Sequence, residues 1–390
     1  MKMKDMITPV VRNIKPSGIR KFFDLVNEMK DALSLSIGEP DFITPWKIRE
    51  AGINSLEQGH THYSPNAGFI ELRREISKYV DRKYKVIYNP EDEILVTVGG
   101  SEGIDIALRA LVGPGDEVIV PEPSFVAYSP CAIFTGATVV SIKLRVEDQF
   151  RLTPELLSAA ITDKTKVLIF PFPNNPTGAV MSRVDIEGIV EVIKDKNIIV
   201  ISDEIYAELT FEGKHESIAS FPGMKDRTLV INGFSKAFAM TGWRLGYACG
   251  HQDLISAMYK IHQFAIMSSP TTAQYAAIEA LKSCDDEVAM MVKEYDFRRR
   301  IIIDGFRKIG LECFEAKGAF YIFPSIKSTG LTSEEFAERL LLEQKVAVVP
   351  GTAFGESGEG FIRVCYAYST ENIHIALKRI ETFVKSLKLG

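Results

Sequence analysis

The sequence predicts an α/β protein in which a largely parallel sheet is covered by helices on both faces. Short apolar runs typical of buried strands alternate with segments of helical period, such as 103–111 and 185–195. Strands that are separated by helices favour parallel pairing, since each crossover returns the chain to the same end of the sheet. Ligands of such sheets bind beyond the carboxyl ends of the strands. The predicted strands are residues 94–98, 117–120, 166–170, 198–202, 228–232 and 244–248.

The last third of the chain follows a different pattern. From about residue 268 a long helical pattern ends the alternation, and short apolar runs and two further helices follow, the first beginning at Ser333. We interpret this part as a separate α+β unit. The first 45 or so residues fit neither pattern, and we expect them to dock onto that unit. The expected division is a segment 1–45 that contributes to the small domain, a large domain 46–280 and a small domain 281–390.

The composition is that of an ordinary globular chain of enzyme size. The 390 residues are 46% hydrophobic and 25% charged with a net charge of −5, and no basic block favours nucleic-acid binding. No apolar run has membrane-spanning length, and the first residues lack the apolar region of a signal peptide. The five cysteines are scattered and form no CxxC pair, which argues against a disulfide framework or a zinc site. We therefore expect a cytoplasmic protein without a metal site.

The segment NGFSKAFAMTGWRLGY, residues 232–247, carries the sharpest chemical signal. Its Lys236 follows a predicted strand and lies among Gly, Phe, Ala and Met residues. Loss of hydration there lowers the pKa of an amine, and an uncharged lysine amine attacks carbonyl groups. The alternative is a lysine that extends its ammonium group from a loop into solvent.

A carboxylate and a phenol follow the preceding strand. Asp203 ends the apolar run IIVISD, and Tyr206 comes three residues later. A carboxylate at a strand end needs a cationic or hydrogen-bonding partner, and the protonated nitrogen of a pyridine ring is one such partner. The alternatives are a helix N-cap for Asp203 and core packing for Tyr206.

Three further segments carry polar groups at strand ends or on strands. The glycine-rich turn 99–103 lets backbone N–H groups meet a phosphate, with an ordinary strand-to-helix turn as the alternative. Asn175 lies in PNNPTG, which is also typical of a simple turn. Arg363 lies in the apolar run FIRVCYA and needs a planar anion, either a substrate carboxylate or an internal salt bridge. No dinucleotide or nucleoside triphosphate motif is present.

In this order the motifs resemble those of the class I and II aminotransferases, which are pyridoxal-5′-phosphate (PLP) enzymes of fold type I. The resemblance rests on IGEPDF, NNPTG, SDEIY, SKAFAMTGWRLGY and FIRVCYA, and it covers nearly the whole chain. It implies an α/β fold: a large PLP-binding domain with a mostly parallel seven-stranded sheet between helices, plus a smaller α+β domain. The overall pattern is most similar to archaeal aromatic or aspartate aminotransferases and to Gram-positive N-acetyl-diaminopimelate aminotransferases.

The resemblance also implies roles around the cofactor ring. Lys236 would carry the cofactor and move the proton between substrate and cofactor. Asp203 would pair with the pyridine nitrogen, and Asn175 and Tyr206 would bond to the ring oxygen O3′. Phe125, in PEPSF, occupies the position of the aromatic residue that stacks on the ring.

Further roles follow for the phosphate, the substrate and a second subunit. The resemblance implies that the phosphate is held by the backbone amides of the turn together with two side chains: Gly100, Ser101, Glu102, Ser235 and Arg244. Tyr63, in THYSPNAG, matches a tyrosine that reaches the phosphate of the neighbouring subunit, which implies a homodimer with shared sites. Arg363 and the Gly38 amide would grip the substrate α-carboxylate, with Asn175 beside them.

Two residues depart from the pattern of many relatives. Gly233 stands where many have a serine three residues before the lysine, so the phosphate site loses one hydroxyl. Ser101 stands where some aspartate-preferring relatives have a lysine for the second substrate carboxylate, which weakens an aspartate-only interpretation.

The expected reaction moves an amino group from an L-amino acid to 2-oxoglutarate by a ping-pong mechanism. The donor is of the aspartate, aromatic or N-acetyl-diaminopimelate type, and Phe23, Phe320 and Tyr321 are candidates to line the side-chain pocket. A C–S β-lyase on the same fold is the alternative, because the same residues labilise the same proton. A PLP-sensing regulator needs an added DNA-binding segment, for which only about 45 residues precede the first motif.

Overall fold

The computed structural model describes residues 2–14, 29 and 31–387 of the chain. Phe23, a candidate for the side-chain pocket, lies outside the described residues. The described α-helices are α1 (Pro9–Asn13), α2 (Trp46–Glu57), α3 (Ile70–Tyr84), α4 (Gly99–Leu111), α5 (Tyr128–Phe134), α6 (Pro154–Ala160), α7 (Arg183–Ile193), α8 (Gln252–Ala265), α9 (Thr271–Ser283), α10 (Asp285–Ile309), α11 (Ser333–Gln344) and α12 (Thr370–Leu387).

The described strands fall into one large sheet and two small ones. The large sheet contains β2 (Ile94–Thr97), β3 (Glu117–Glu122), β4 (Thr138–Lys143), β5 (Thr165–Phe170), β6 (Ile199–Asp203), β7 (Thr228–Gly233) and β8 (Gly246–Cys249). The small sheets contain β1 (Leu33–Ser34), β9 (Tyr321–Ile322), β10 (Val346–Ala347), β11 (Val349–Pro350) and β12 (Ile362–Cys365).

The large sheet has seven strands in the order β2-β8-β7-β6-β5-β3-β4. Strands β4, β3, β5, β6 and β7 are parallel, whereas β8 is antiparallel to both of its neighbours. This confirms the predicted seven-stranded, mostly parallel sheet. The apolar runs of β6 and β7 are buried almost throughout, because helices cover both faces of the sheet. Because β5, β6 and β7 are parallel, the residues that follow them lie along one edge of the sheet.

One strand of the large sheet differs from the predicted elements. Strand β4 was not predicted; it lies at the sheet edge and is largely exposed, so it lacks the continuous apolar run that marks a buried strand. The predicted helical pattern after residue 268, with its two parts 272–283 and 285–310, corresponds to the helices α9 and α10, which are separated at Cys284. The three acidic residues that follow, Asp285, Asp286 and Glu287, favour a new helix start because they lie at its positive end.

The small sheets bring distant parts of the chain together. Strand β1 pairs in parallel with β10, so the residues just before the IGEPDF motif lie beside the C-terminal third of the chain. Strand β12 lies between β11 and β9 and is antiparallel to both. Helix α11 begins with a capping box between Thr332 and Glu335, which satisfies two backbone N–H groups. The pairing of β12 with β11 and β9 places its Arg363 beside the carboxyl edge of the large sheet.

Candidate active site

One pocket lies at the carboxyl edge of β5, β6 and β7. It brings together residues that are far apart in the sequence and that come from the large sheet, the IGEPDF segment and β12. Of the residues predicted to form the site, those that line this pocket are Gly38, Gly100, Ser101, Phe125, Asn175, Asp203, Tyr206, Ser235, Lys236, Arg244 and Arg363. Ile104, Tyr128, Pro173, Ile205 and Tyr321 complete the lining.

The amine of Lys236 points into the pocket three residues after β7 ends. Its Nζ donates a hydrogen bond to the carbonyl oxygen of Gly38 at 2.7 Å, and it lies 5.8 Å from the ring centre of Tyr206. Burial lowers the pKa of Lys236 from its ordinary 10.5 to about 8. With a pKa of about 8, roughly a tenth of this amine is uncharged at pH 7 and about half at pH 8, far more than for the amine of a surface lysine.

Asp203 is the last residue of β6, and its carboxylate is buried. One carboxylate oxygen accepts a hydrogen bond from the hydroxyl of Tyr128 at 2.7 Å, and the other accepts the backbone N–H of Ile205 at 3.2 Å. Burial raises the pKa of Asp203, and these two donors oppose that rise because they stabilise the charged form. Within the described residues no cation lies within ion-pair distance of this carboxylate. The Tyr128 hydroxyl was missed by sequence reasoning, since nothing in PSFVAY distinguishes it from a core tyrosine.

Two tyrosines meet beside the lysine. The hydroxyls of Tyr206 and Tyr321 are 2.8 Å apart, and both rings are buried. The guanidinium carbon of Arg363 lies 4.5 Å from the centre of the Tyr321 ring. Tyr321 thus lines the pocket as expected, whereas Phe320 is fully buried behind it and packs edge-on against Tyr206.

Arg363 is a buried cation whose partners are neutral. Its guanidinium donates to the side-chain oxygen of Asn175 at 2.9 Å and to the carbonyl oxygen of Ser36 at 2.5 Å. Its Nε is buried and has no hydrogen-bond partner in the described part of the chain. The alternative of an internal salt bridge is not seen there, since no carboxylate lies within ion-pair distance. The planar group is therefore held in place with donor capacity left for an anion.

A candidate phosphate cradle lies where α4 begins. Gly99 has a left-handed backbone with φ +78°, and a Cβ at this position would lie 2.7 Å from Nη2 of Arg244. The absence of a side chain thus lets the guanidinium lie against the turn. The first amides of α4, the Ser235 hydroxyl and this guanidinium are the donor set that a phosphate group requires.

The side chains of two residues predicted for the site, Glu102 and Tyr63, lie outside this pocket, and the structure also explains the glycine at position 233. Glu102 is not in the pocket lining, and its carboxylate instead bonds to His262 of α8 and to the N–H of Val98. Tyr63 is 82% exposed and lies outside the pocket of its own chain. A Cβ at Gly233 would lie 2.8 Å from the Cα of Gly246, so the close approach of β7 and β8 leaves no space for the serine of many relatives.

The fold and this set of side chains define a PLP-dependent enzyme. The donor set fits the cofactor: an amine, a buried carboxylate and a phosphate cradle surround one space. The profile of the family "Aminotransferase class I and II" matches residues 30–380. The chain belongs to this family and is an aminotransferase.

Individual relatives are similar to this chain over almost their whole length. YugH of Bacillus subtilis, whose name assigns it to the aminotransferases, is 51% identical over 98% of this chain and 99% of that protein. An aspartate aminotransferase of Pyrococcus abyssi is 44% identical over 96% of this chain and 97% of that protein. The crystal structure of an aromatic aminotransferase from Pyrococcus horikoshii superposes with a TM-score of 0.91 at 42% identity and covers 95% of this chain and 100% of that one. Relatives with different substrate names are thus similarly related to this chain.

No helix in the described part of the chain combines the length and the apolar character that a bilayer crossing requires.

Proposed function

We propose that this aminotransferase moves an amino group between an L-amino acid and 2-oxoglutarate by a ping-pong mechanism. The amino acid is of the aspartate, aromatic or N-acetyl-diaminopimelate type. One observation supports the proposal most strongly: Lys236, with a pKa of about 8, shares a pocket with a buried carboxylate and a buried arginine that has no acidic partner among the described residues. The amine suits the aldehyde of PLP, the carboxylate suits its protonated ring nitrogen, and the arginine suits the α-carboxylate of an amino acid.

The proposed contacts to the cofactor ring use groups that already converge on the pocket. Asp203 pairs with the protonated ring nitrogen, to which its buried carboxylate offers an acceptor. Asn175 donates from its amide nitrogen to O3′, since its oxygen is occupied by Arg363. Tyr206 would donate to the same atom, and Phe125 would stack on the ring, since both side chains line the pocket.

The proposed phosphate site combines the start of a helix with two side chains. The amides at the start of α4 direct the positive end of the helix dipole toward the phosphate. The complete proposed set is Gly100, Ser101 and Glu102 through their amides, with Ser235 and Arg244.

The substrate carboxylate is proposed to bind between Arg363 and the Gly38 amide. A guanidinium donates two parallel hydrogen bonds to a carboxylate, which fixes the orientation of the substrate Cα. Because Asn175 holds the guanidinium, the substrate is presented to Lys236 in one orientation. The same contacts serve the 2-oxo acid, so donor and acceptor use the site in turn.

Bound PLP withdraws electrons from the substrate Cα and so makes its proton removable. Lys236 would accept this proton from Cα at Nζ. It would later donate the proton on the cofactor side of the transferred nitrogen. Its lowered pKa suits both steps, because an amine that titrates near the working pH both accepts and donates protons readily. Hydrogen bonds from Tyr128 and from the N–H of Ile205 favour the charged form of Asp203. This carboxylate would in turn stabilise the protonated ring nitrogen of the cofactor.

A second subunit is proposed to complete each site. Tyr63 is 82% exposed although it follows the ordered helix α2, and it does not reach the pocket of its own chain. A large exposed aromatic side chain is typical of an interface. We therefore propose a homodimer in which Tyr63 contributes its hydroxyl to the partner's phosphate site.

A spectral titration of the holoenzyme with single amino acids tests the function. The panel contains glutamate, aspartate, alanine, phenylalanine, tyrosine and N-acetyl-diaminopimelate, without any oxo acid. We expect stable bleaching of the cofactor absorbance by one class of donor and its recovery on addition of 2-oxoglutarate. The donor that bleaches at the lowest concentration identifies the substrate class.

The lyase alternative gives a different result in the same experiment. If no donor bleaches the cofactor, while cystathionine or cysteine yields pyruvate catalytically without an oxo acid, the proposed reaction is wrong.

A further inference from the structure

A fully buried histidine connects helix α8 to the turn that opens α4. His262 donates from Nδ1 to one carboxylate oxygen of Glu102 at 2.6 Å, across 160 positions of sequence. The other oxygen of Glu102 accepts the backbone N–H of Val98, immediately before the helix starts. In the described residues no lysine or arginine lies within ion-pair distance of Glu102. The carboxylate is thus fixed at both of its oxygens.

The position of this carboxylate poses an electrostatic problem. Glu102 lies in the first turn of α4. The two residues just before it in the same turn, Gly100 and Ser101, line the pocket. The free N–H groups of a first turn attract any anion, including a nearby side-chain carboxylate. An unrestrained Glu102 would compete for these N–H groups and would repel a phosphate dianion.

The contacts of Glu102 remove this competition. Its carboxylate bonds backward to Val98 and sideways to His262, so it lies outside the pocket lining. The bond to Val98 also satisfies the backbone N–H of the N-cap residue, as the glutamate side chain of a capping box does, although the apolar Val98 side chain makes no bond in return. Among the described residues, His262 alone holds the second oxygen.

We propose that His262 is a positioning residue for the phosphate-binding turn of the cofactor site. It holds the Glu102 carboxylate against Val98 and away from the amides that receive the phosphate. This inference rests on the proposed phosphate role of the turn. It assigns a specific task to a buried polar side chain that touches neither the cofactor nor the substrate.

Binding of PLP and of pyridoxal, which lacks the phosphate, to the cofactor-free protein tests the inference. His262→Leu keeps an apolar side chain of moderate size and removes the donor. We expect its dissociation constant for PLP to rise about tenfold while that for pyridoxal stays unchanged, since one charge-assisted hydrogen bond is lost. His262→Asn places an amide N–H near the position of Nδ1 and should restore most of the PLP affinity.

A double variant and a control on the same helix sharpen the test. Adding Glu102→Gln to His262→Leu removes the uncompensated carboxylate and should recover most of the PLP affinity. His251→Leu alters the cap of α8 without touching Glu102 and should leave the ratio of the two affinities unchanged.

The outcomes distinguish this inference from the function on which it rests. If the parent protein binds PLP no more tightly than pyridoxal, the proposed phosphate site is wrong. If the parent prefers PLP and His262→Leu keeps that preference, or loses affinity for both compounds equally, the role of His262 is wrong.

Discussion

Buried arginines in two regions of this molecule have opposite surroundings. On α10, Arg298 donates to both oxygens of Asp41 at 2.8 Å and to Glu294, and Arg299 contacts Asp296 and Glu212. On β12, Arg363 is equally buried, with 3% of its surface exposed, but it bonds only to an amide and a carbonyl. The first region therefore neutralises its cations within the protein, and the second does not.

The difference indicates where ligand charge belongs. Burying a charge costs free energy unless an opposite charge or several hydrogen bonds compensate it. In the α10 region the chain supplies that compensation itself. In the pocket, Lys236 and Arg363 on one side and Asp203 on the other have no ion-pair partners among the described residues. Each of these three groups matches a charge or reactive atom of PLP or of an amino acid.

Loss of the lysine should have the largest effect. Lys236→Ala removes both the proposed attachment point of PLP and the group proposed to move the Cα proton, so we expect kcat to fall by about 10⁴-fold or more. The visible absorbance of the attached cofactor should also disappear. Lys317→Ala, which removes a surface partner of Glu212, is the control and should keep parental activity. A coloured, active Lys236→Ala variant would contradict the proposed role.

The two arginine regions should separate binding from stability. Arg363→Gln should raise KM for both amino acid and oxo acid by about 100-fold, because a charge-assisted bidentate contact is lost. Its free energy of unfolding should change little, since no ion pair is broken. Arg298→Gln should leave KM nearly unchanged and lower the free energy of unfolding by about 3 kcal/mol, because Asp41 loses its partner. Steady-state kinetics measures KM, and denaturant titration measures the free energy of unfolding. Equal effects of the two variants on both quantities would contradict the division into a ligand-binding and a structural arginine.

The lowered pKa of the lysine gives a pH prediction. Burial favours the uncharged amine, so the rate of PLP attachment to the cofactor-free protein should rise with pH, reach half of its maximum at about pH 8 and level off above about pH 9. For a pKa near 8 the uncharged fraction increases about tenfold between pH 7 and pH 9. Stopped-flow absorbance after mixing with PLP measures the rate. A rate that still rises beyond pH 9.5 would show that the pocket does not depress this pKa.

The smallest expected effect compares two tyrosine–carboxylate pairs. Tyr128 donates to Asp203 inside the pocket at 2.7 Å, and Tyr84 donates to Glu208 outside it at 2.8 Å. Tyr128→Phe should weaken PLP binding about fivefold and move the acid limb of kcat/KM to higher pH, because Asp203 loses a donor that lowers its pKa. Tyr84→Phe should cost about 1 kcal/mol of stability and leave that pH limb unmoved. If both variants shift the limb equally, the shift does not arise at Asp203.

Much of the fold could be predicted from the sequence because the central strands are buried on both faces. Their apolar runs are continuous, and β5, β6 and β7 begin and end within a residue or two of the predicted bounds. The edge strand β4 could not be found in this way, since its exposed face permits polar residues. The helical pattern after residue 268 was divided correctly at Cys284, where α9 ends and α10 begins with three acidic residues.

The site could be predicted only in part, for a related reason. Residues at strand ends were found because parallel strands end at one edge, which brings Asp203 and Lys236 together. Tyr128 and His262 act through contacts to other side chains, and such contacts depend on tertiary packing that no local pattern records. For the same reason the sequence could not show that Arg363 lacks an acidic partner while Arg298 has two.

The most direct test of the central claim is to locate the covalently bound cofactor. Borohydride reduction of the holoenzyme fixes PLP to the amine that carries it, and peptide mass mapping then identifies that amine. We predict a single modified peptide with the label on Lys236, and loss of the label when the amino-acid donor is added before the reduction. A label on another lysine, or one that the donor does not remove, would contradict the assignment of this pocket as the site of amino-group transfer.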